Sequence, residues 1–285
     1  MIKTICVCGA GTMGSGIAQL AAQAGFSTIH YDLDPAMLKK SRLSIESNFD
    51  KLISKERMSA TDKQKCMDRI VLTSELRDCI ADLVIEAIVE QQQVKAELFN
   101  ALAAINFPET IFASNTSSLS ITGLAKQIKH PGRVAGMHFF NPAPLMKLVE
   151  IVSGEQTEPD TIQTLLAVAK QMGKTPVVCK DAPGFIVNRV ARPYYLEAMQ
   201  LIEQGLTDIK TIDRVMEATG FKMGPFALMD LIGMDINYNV SNIVWEALGK
   251  PERLRPSAIQ KQKVDAGELG RKTGKGFYDH VQSGK

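Results

Sequence analysis

Residues 9–14 read Gly-Ala-Gly-Thr-Met-Gly and stand between two patterned segments: apolar Thr4–Cys8, and Met13–Ala24, where Ile17, Leu20, Ala21 and Ala24 recur at helical spacing. A G-x-G-x-x-G match by itself says little. Between a strand and a helix it has a mechanical meaning. Gly9 permits the tight turn, Gly11 lets the backbone approach a pyrophosphate, and Gly14 allows the helix to pack closely on the strand. The helix start offers N–H groups and partial positive charge to that anion. A second apolar segment, Ser27–Asp32, ends in an acid at the distance where such folds hold the adenosine ribose. A carboxylate there accepts both ribose hydroxyls and repels a 2′-phosphate, so NAD is expected rather than NADP. A FAD site shares the fingerprint, and a glycine turn without ligand is the plain alternative.

Strand, turn, helix, strand is a βαβ unit, and it implies a parallel sheet. Further strands are expected at Leu83–Ala87, Ile111–Ser114, Val134–His138, Leu148–Val152 and Pro176–Cys179, with helices over Pro35–Ile53, Val94–Ile105 and Pro159–Met172. Ser54–Asp68, dense in charge, reads as a solvated helix pair or loop. After Asp181-Ala182-Pro183-Gly184 the strand signals vanish. Phe185–Gln204, Thr207–Thr219, Gly224–Leu248 and Pro256–Ala266 read as helices between Gly and Pro breaks. The fold class is therefore α/β: an N-terminal Rossmann-type doubly wound sheet domain over residues 1–182, then a smaller all-helical C-terminal domain over 183–285.

Charge and composition narrow the partners. Lysine and arginine number 33 against 31 acids, and a net charge of +2 gives little field for nucleic acid or an anionic membrane. No apolar run approaches the roughly 20 residues of a bilayer span. The start, MIKTICVCGAG, breaks its apolar run at Gly9, unlike a signal peptide, so a cytoplasmic protein is expected. The five cysteines, at 6, 8, 66, 79 and 179, show no C-x-x-C or zinc-finger spacing. They read as small buried hydrophobes, with Cys6 and Cys8 on one face of their strand. No metal is expected.

Only four histidines are available for proton transfer. His30 lies within the second strand and reads as half-buried scaffold; His130 precedes Pro131 in a loop; His280 sits near a fraying terminus. His138 ends a strand, in Gly-Met-His-Phe-Phe-Asn-Pro over 136–142, and strand ends are where doubly wound sheets bind ligands. Beside two phenylalanines, a histidine is otherwise more often core than catalyst. Glu150 stands within the apolar segment Leu148–Val152, where an unpartnered carboxylate would be costly, so it needs a cation or a donor.

Several segments together resemble one family. Ser114–Ser118 (SNTSS), Gly136–Pro142, Asp181–Arg189 (DAPGFIVNR), Met223–Asp230 (MGPFALMD) and Arg271–Tyr278 (RKTGKGFY) are similar, in order and spacing, to the 3-hydroxyacyl-CoA dehydrogenases. The length is that of the bacterial short-chain members acting on 3-hydroxybutyryl-CoA. The resemblance implies reversible NAD-dependent oxidation of a (3S)-3-hydroxyacyl-CoA, with His138 as general base and acid, and Glu150 orienting its ring. It implies that Ser117 hydrogen-bonds the substrate oxygen and that Asn188 positions the substrate and His138. Near the cofactor it places Glu90 and Lys95 (nicotinamide ribose), Asn115 and Asn141 (nicotinamide end) and Lys272. It places Lys55 near the CoA phosphates; a serine sharing that duty in some members is Asn48 here. Lys95 and Lys272 would otherwise read as surface charges, Ser117 as a turn cap, and Asn188 as a helix-surface amide.

The resemblance also implies a homodimer through the helical domain. Its Leu196, Met199, Leu201, Leu228, Leu231 and Ile232 exceed what a small helical unit would bury alone. Two other readings compete. A dehydrogenase of a free hydroxy acid would suit the glycine loop, though such families generally use a lysine base. A non-catalytic dinucleotide binder would not need the set Ser117, His138, Glu150 and Asn188.

Overall fold

A computed structural model describes residues 1–280, so positions 281–285 of the expected second domain lie outside the described residues. The backbone separates into two compact units, Met1–Ala182 and Pro183–Lys285.

The first unit is a single eight-stranded sheet flanked by helices. In chain order it runs β1 (Thr4–Cys8), α1 (Thr12–Gln23), β2 (Ser27–Tyr31), α2 (Pro35–Ile53), α3 (Ala60–Asp68), β3 (Ile70–Thr73), β4 (Leu83–Glu86), α4 (Gln92–Ala103), β5 (Ile111–Ser114), α5 (Ile121–Ala125), β6 (Val134–Phe139), β7 (Leu148–Ser153), α6 (Pro159–Gln171) and β8 (Thr175–Lys180). The strands lie in the order β3-β2-β1-β4-β5-β6-β7-β8. β1 to β6 pair in parallel. The winding direction reverses at β1, and the crevice beside it is the topological switch point where such sheets bind nucleotides. Ile5 to Cys8 and all of β4 are buried, as strands covered on both faces must be. Ile17, Ile45, Phe49, Leu83 and Leu165 fill the space beneath the helices.

Connection length decides the last strands. Only residues 140–147 join β6 to β7, too few for a crossover, and the pair is antiparallel. α6 then carries the chain across, and β8 returns parallel to β7.

Four differences from the sequence reading have local causes. β3 was not anticipated: it has four residues, Val71 is exposed, and it directly follows the charged α3. That charged stretch itself yields one helix, α3, capped by the Ser59 side chain. The expected single helix over Gly224–Leu248 is two, because Gly233, at φ +103°, breaks it. His30 is fully buried rather than half-buried.

The second unit contains α7 (Val187–Glu203), α8 (Ile209–Ala218), α9 (Pro225–Ile232), α10 (Met234–Ala247) and α11 (Ala258–Asp265). Its core is Met199, Phe226, Met229, Met234 and Val244, joined by Leu196. Of the apolar positions read as surplus, Leu196 and Met199 are therefore core, whereas Leu231 and Ile232 stay exposed. Two buried carboxylates tie the chain end to this core. Asp213 accepts the N–H groups of Phe226 and Ala227, capping α9, and the Tyr278 hydroxyl at 2.8 Å. Asp230 accepts the N–H groups of Phe277 and Tyr278 and contacts His280 Nε2 at 2.8 Å. His280 is thus anchored, where a fraying terminus was expected. Among the described residues no helix is long and apolar enough to cross a membrane.

Removing the Asp213 carboxylate strands three donors in a largely dry place. Asp213→Ala is expected to cost roughly 2–4 kcal/mol of stability in urea unfolding. An unchanged midpoint would remove this cap from the account.

Candidate active site

The glycine loop follows β1 at the switch point, and at two of its glycines the neighbours leave no room for a side chain. A Cβ on Gly9, at φ +101°, would come within 2.6 Å of the Ala87 carbonyl oxygen just past β4, and one on Gly14 would run into the Gly9 carbonyl. At Gly11 nothing lies within 4 Å, so the backbone there is open to a ligand. Gly11 is also the N-cap of α1 and supplies no side-chain acceptor, which leaves the first-turn amides for an anion. The buried His30 braces the loop from beneath: its Nε2 lies 3.2 Å from the Gly9 carbonyl, and Ser41 Oγ is 3.5 Å from its Nδ1. Desolvation lowers its pKa, which favours a neutral ring. Just past β2, Asp32 accepts the Ala10 N–H at 2.6 Å and the Asp34 N–H at 2.9 Å. Its carboxylate is thereby held beside the loop. This cradle fits a dinucleotide: open backbone for the pyrophosphate, and an acid for the adenosine ribose.

Beside the loop, the strand ends carry a buried ionic network. Lys95, on α4, is almost wholly buried, not the surface charge of the plain reading; its Nζ lies 2.5 Å from Glu86 and 3.1 Å from Glu90. Glu86, the last residue of β4, also accepts the Ile88 N–H and the Ser114 hydroxyl, each at 2.7 Å. Glu90 collects the Thr116 hydroxyl, the Ser117 N–H and the Ser118 hydroxyl. Burial raises the Glu86 pKa despite the pull of Lys95. For Glu90, partial burial works the same way, but Lys95 and the Thr116 and Ser117 donors outweigh it and hold the carboxyl below the usual glutamate range. The network fixes the 114–118 turn, and so Ser117, against α4.

His138 and Glu150 are direct partners in the β6–β7 register. Directly opposed residues project to the same face, and here His138 Nδ1 lies 2.8 Å from Glu150 Oε2. Glu150 is fully buried, and the imidazole supplies the donor it requires. With Nδ1 committed to the carboxylate, exchange of a proton with a ligand falls to Nε2. The Phe140 ring lies 4.5 Å from the imidazole, centroid to centroid, and limits its rotation. Asn115 Oδ1 accepts the Phe139 N–H at 2.9 Å, so the SNTSS turn is fastened directly to the strand end bearing His138.

Asn141 is exposed, two residues beyond β6. Lys55 is exposed past the end of α2, while the Asn48 amide is engaged with Gln19 of α1 at 3.0 Å. In the second unit, Asn188 is in the first turn of α7, and Lys272 pairs with Asp235 at 2.5 Å. Glu86, Ser114, Thr116 and His30 were missed as contributors to the site. Glu86 carried one signal, an acid closing the apolar run Leu83–Ile85.

Lys95→Met would leave two carboxylates facing each other without their cation. A loss of about 3–5 kcal/mol at neutral pH is expected from urea unfolding. Since the Glu90 pKa is depressed, its ion-pair stabilisation is present above the ordinary glutamate range and lost as pH falls below it; the mutational deficit should shrink in acid. A deficit independent of pH would contradict the charge assignment.

A family profile described as "3-hydroxyacyl-CoA dehydrogenase, NAD binding domain" matches residues 4–182, and one described as "3-hydroxyacyl-CoA dehydrogenase, C-terminal domain" matches 184–280. A 3-hydroxyadipyl-CoA dehydrogenase of Escherichia coli is 42% identical over 98% of this chain, which spans only 59% of that longer protein. A probable 3-hydroxybutyryl-CoA dehydrogenase of Deinococcus radiodurans is 42% identical over 96% of this chain and 99% of its own length. The crystal structure of (S)-3-hydroxybutyryl-CoA dehydrogenase from Ralstonia eutropha superposes with a TM-score of 0.95 at 38% identity, covering 99% of this chain and all of that one. With both of its units matched and its length shared with such relatives, this chain belongs to the 3-hydroxyacyl-CoA dehydrogenase family.

Proposed function

We infer that this chain catalyses the reversible NAD-dependent oxidation of a (3S)-3-hydroxyacyl-CoA to the 3-oxoacyl-CoA, with short acyl groups such as 3-hydroxybutyryl as substrates. The observation that carries the reading is the His138–Glu150 pair, 2.8 Å apart, at the sheet edge that also bears the glycine loop. NAD, when bound, supplies the acceptor for the hydride leaving C3. His138 takes the 3-hydroxyl proton through Nε2 as the carbonyl forms, and returns it in the reductive direction. Glu150 holds the ring in one orientation and offsets the charge of the imidazolium that forms. Asp32 receives the adenosine ribose, Gly11 leaves the backbone open to the pyrophosphate, and Gly9 and Gly14 allow the tight turn and the close helix packing that hold the loop in place. Glu90, held by Lys95, and the amides Asn115 and Asn141 serve the nicotinamide end. We carry Ser117, Asn188, Lys55 and Lys272 as substrate and cofactor contacts on the family resemblance.

We further propose a homodimer formed through the helical unit, where Leu231, Ile232 and Ile236 are exposed on α9 and α10. The five free cysteines suit a reducing, cytoplasmic setting.

NADH consumption with acetoacetyl-CoA tests the reading. His138→Ala should lose on the order of 10²–10⁴-fold in turnover while binding NADH within a few-fold of wild type by fluorescence titration. Equal rates would remove His138 from the mechanism. Free acetoacetate should be a poor substrate, and comparable turnover with it would overturn the CoA assignment.

A further inference from the structure

The connection from β6 to β7 is also where the sheet edge meets α1. It contains a single turn, in which the N–H groups of Leu145 and Met146 both bond to the Pro142 carbonyl at 3.0 Å. Such a turn leaves its later carbonyls without partners of their own. Ala143 is buried, and it and Pro144 lie against α1 at Gly16; a Cβ there would sit 3.1 Å from the Ala143 side chain and 2.9 Å from the Pro144 ring.

Lys174 closes the turn from another side. It is only 8% exposed, and its Nζ donates to the Ala143 carbonyl at 2.6 Å and the Met146 carbonyl at 2.9 Å. Both bonds go to backbone oxygens rather than to a carboxylate, an arrangement favoured where a cation meets the carbonyl end of a turn. Burial lowers the ammonium pKa, so those carbonyls compensate a real desolvation cost. The lysine is itself rigidly based. Gly173, at φ +71°, ends α6, the Lys174 N–H bonds to the Ala169 carbonyl at 3.0 Å, and the Thr175 N–H bonds to the Lys147 carbonyl at 2.8 Å. The segment linking His138 to Glu150 is thus clamped between the dinucleotide helix and an ammonium group.

We propose that Lys174 is a positioning residue, which caps the 142–146 turn and so sets the place of the His138–Glu150 pair relative to α1, the helix whose N-terminus receives the cofactor's pyrophosphate. The proposal rests on the dehydrogenase reading for the reaction it affects, although the clamp itself does not. A small displacement of an acid/base group from its partner is enough to cost 10²-fold in rate.

Lys174→Met and Lys174→Arg are compared with wild type in NADH-dependent reduction of acetoacetyl-CoA, using NADH and NADH deuterated at the transferred position. Lys174→Met should lose about 10–100-fold in kcat, keep both KM values within about three-fold, and show a larger primary isotope effect as hydride transfer becomes slower. Lys174→Arg, which retains the donors, should recover most of the rate. A folded Lys174→Met with wild-type kcat, or a loss without a rise in isotope effect, overturns the proposal. Lys174→Gln, a neutral donor, replaces the Met variant if that one does not fold. Amide hydrogen exchange over residues 143–147 is followed in parallel, because it does not depend on the reaction. If wild type failed to reduce acetoacetyl-CoA, the dehydrogenase reading would fall; faster exchange in the Met variant, restored in Arg, would still support the clamp, and unchanged exchange would refute it.

Discussion

One cross-strand contact, an imidazole facing a carboxylate between β6 and β7, is what the proposed chemistry hangs on. Glu150 is a fully buried acid in an otherwise apolar strand. Left alone it would protonate or destabilise the sheet. Opposed to His138, it becomes the group that, in the proposed mechanism, selects which ring nitrogen meets the substrate. Strand register enforces the meeting, since a slip of one residue would turn Glu150 to the other face of the sheet. The short 140–147 connection makes β7 antiparallel, and so brings Glu150 back beside a residue 12 positions earlier.

The rest of the first unit builds the dinucleotide crevice on the same sheet edge as that contact. Reversal of the strand order at β1 opens the crevice, and the glycines keep it clear by packing backbone where a side chain would collide. Parallel strands put the ends of β1, β4, β5 and β6 on one edge, so the loop, the Glu86–Lys95–Glu90 network and His138 share a rim. That network is dear in desolvation. Its return is order: Glu90 gathers donors from Thr116, Ser117 and Ser118, which an unpaired acid in solvent would not hold.

What could be read from the sequence was local. Gly9, Gly11, Gly14 and Asp32 announce themselves by spacing, and the helical character after Pro183 by the loss of strand signals. Glu150 was legible as a problem, a carboxylate lacking a partner, with the partner named by the family resemblance. The missed site residues share one cause: their partners lie far along the chain. Glu86 looks like the end of a strand until Ser114, 28 residues on, donates to it. His30 looks like scaffold until it reaches the Gly9 carbonyl across 21 residues. β3 is too short and exposed to show a period, and Lys174 is one lysine among many until the 142–146 turn folds over it. Gly233 could be read as a helix interior because one glycine is tolerated there; its positive φ is a tertiary fact.

In the proposed mechanism a charged carboxylate, and not merely a hydrogen-bonding shape, holds the imidazole in its working tautomer. Glu150→Gln keeps the shape and removes the charge, so kcat for acetoacetyl-CoA reduction measured beside the NADH dissociation constant tests it most directly. A fall in kcat of about 10²–10⁴-fold is expected, by analogy with other His–acid pairs, with NADH affinity unchanged. A Glu150→Gln enzyme turning over at the wild-type rate would contradict it.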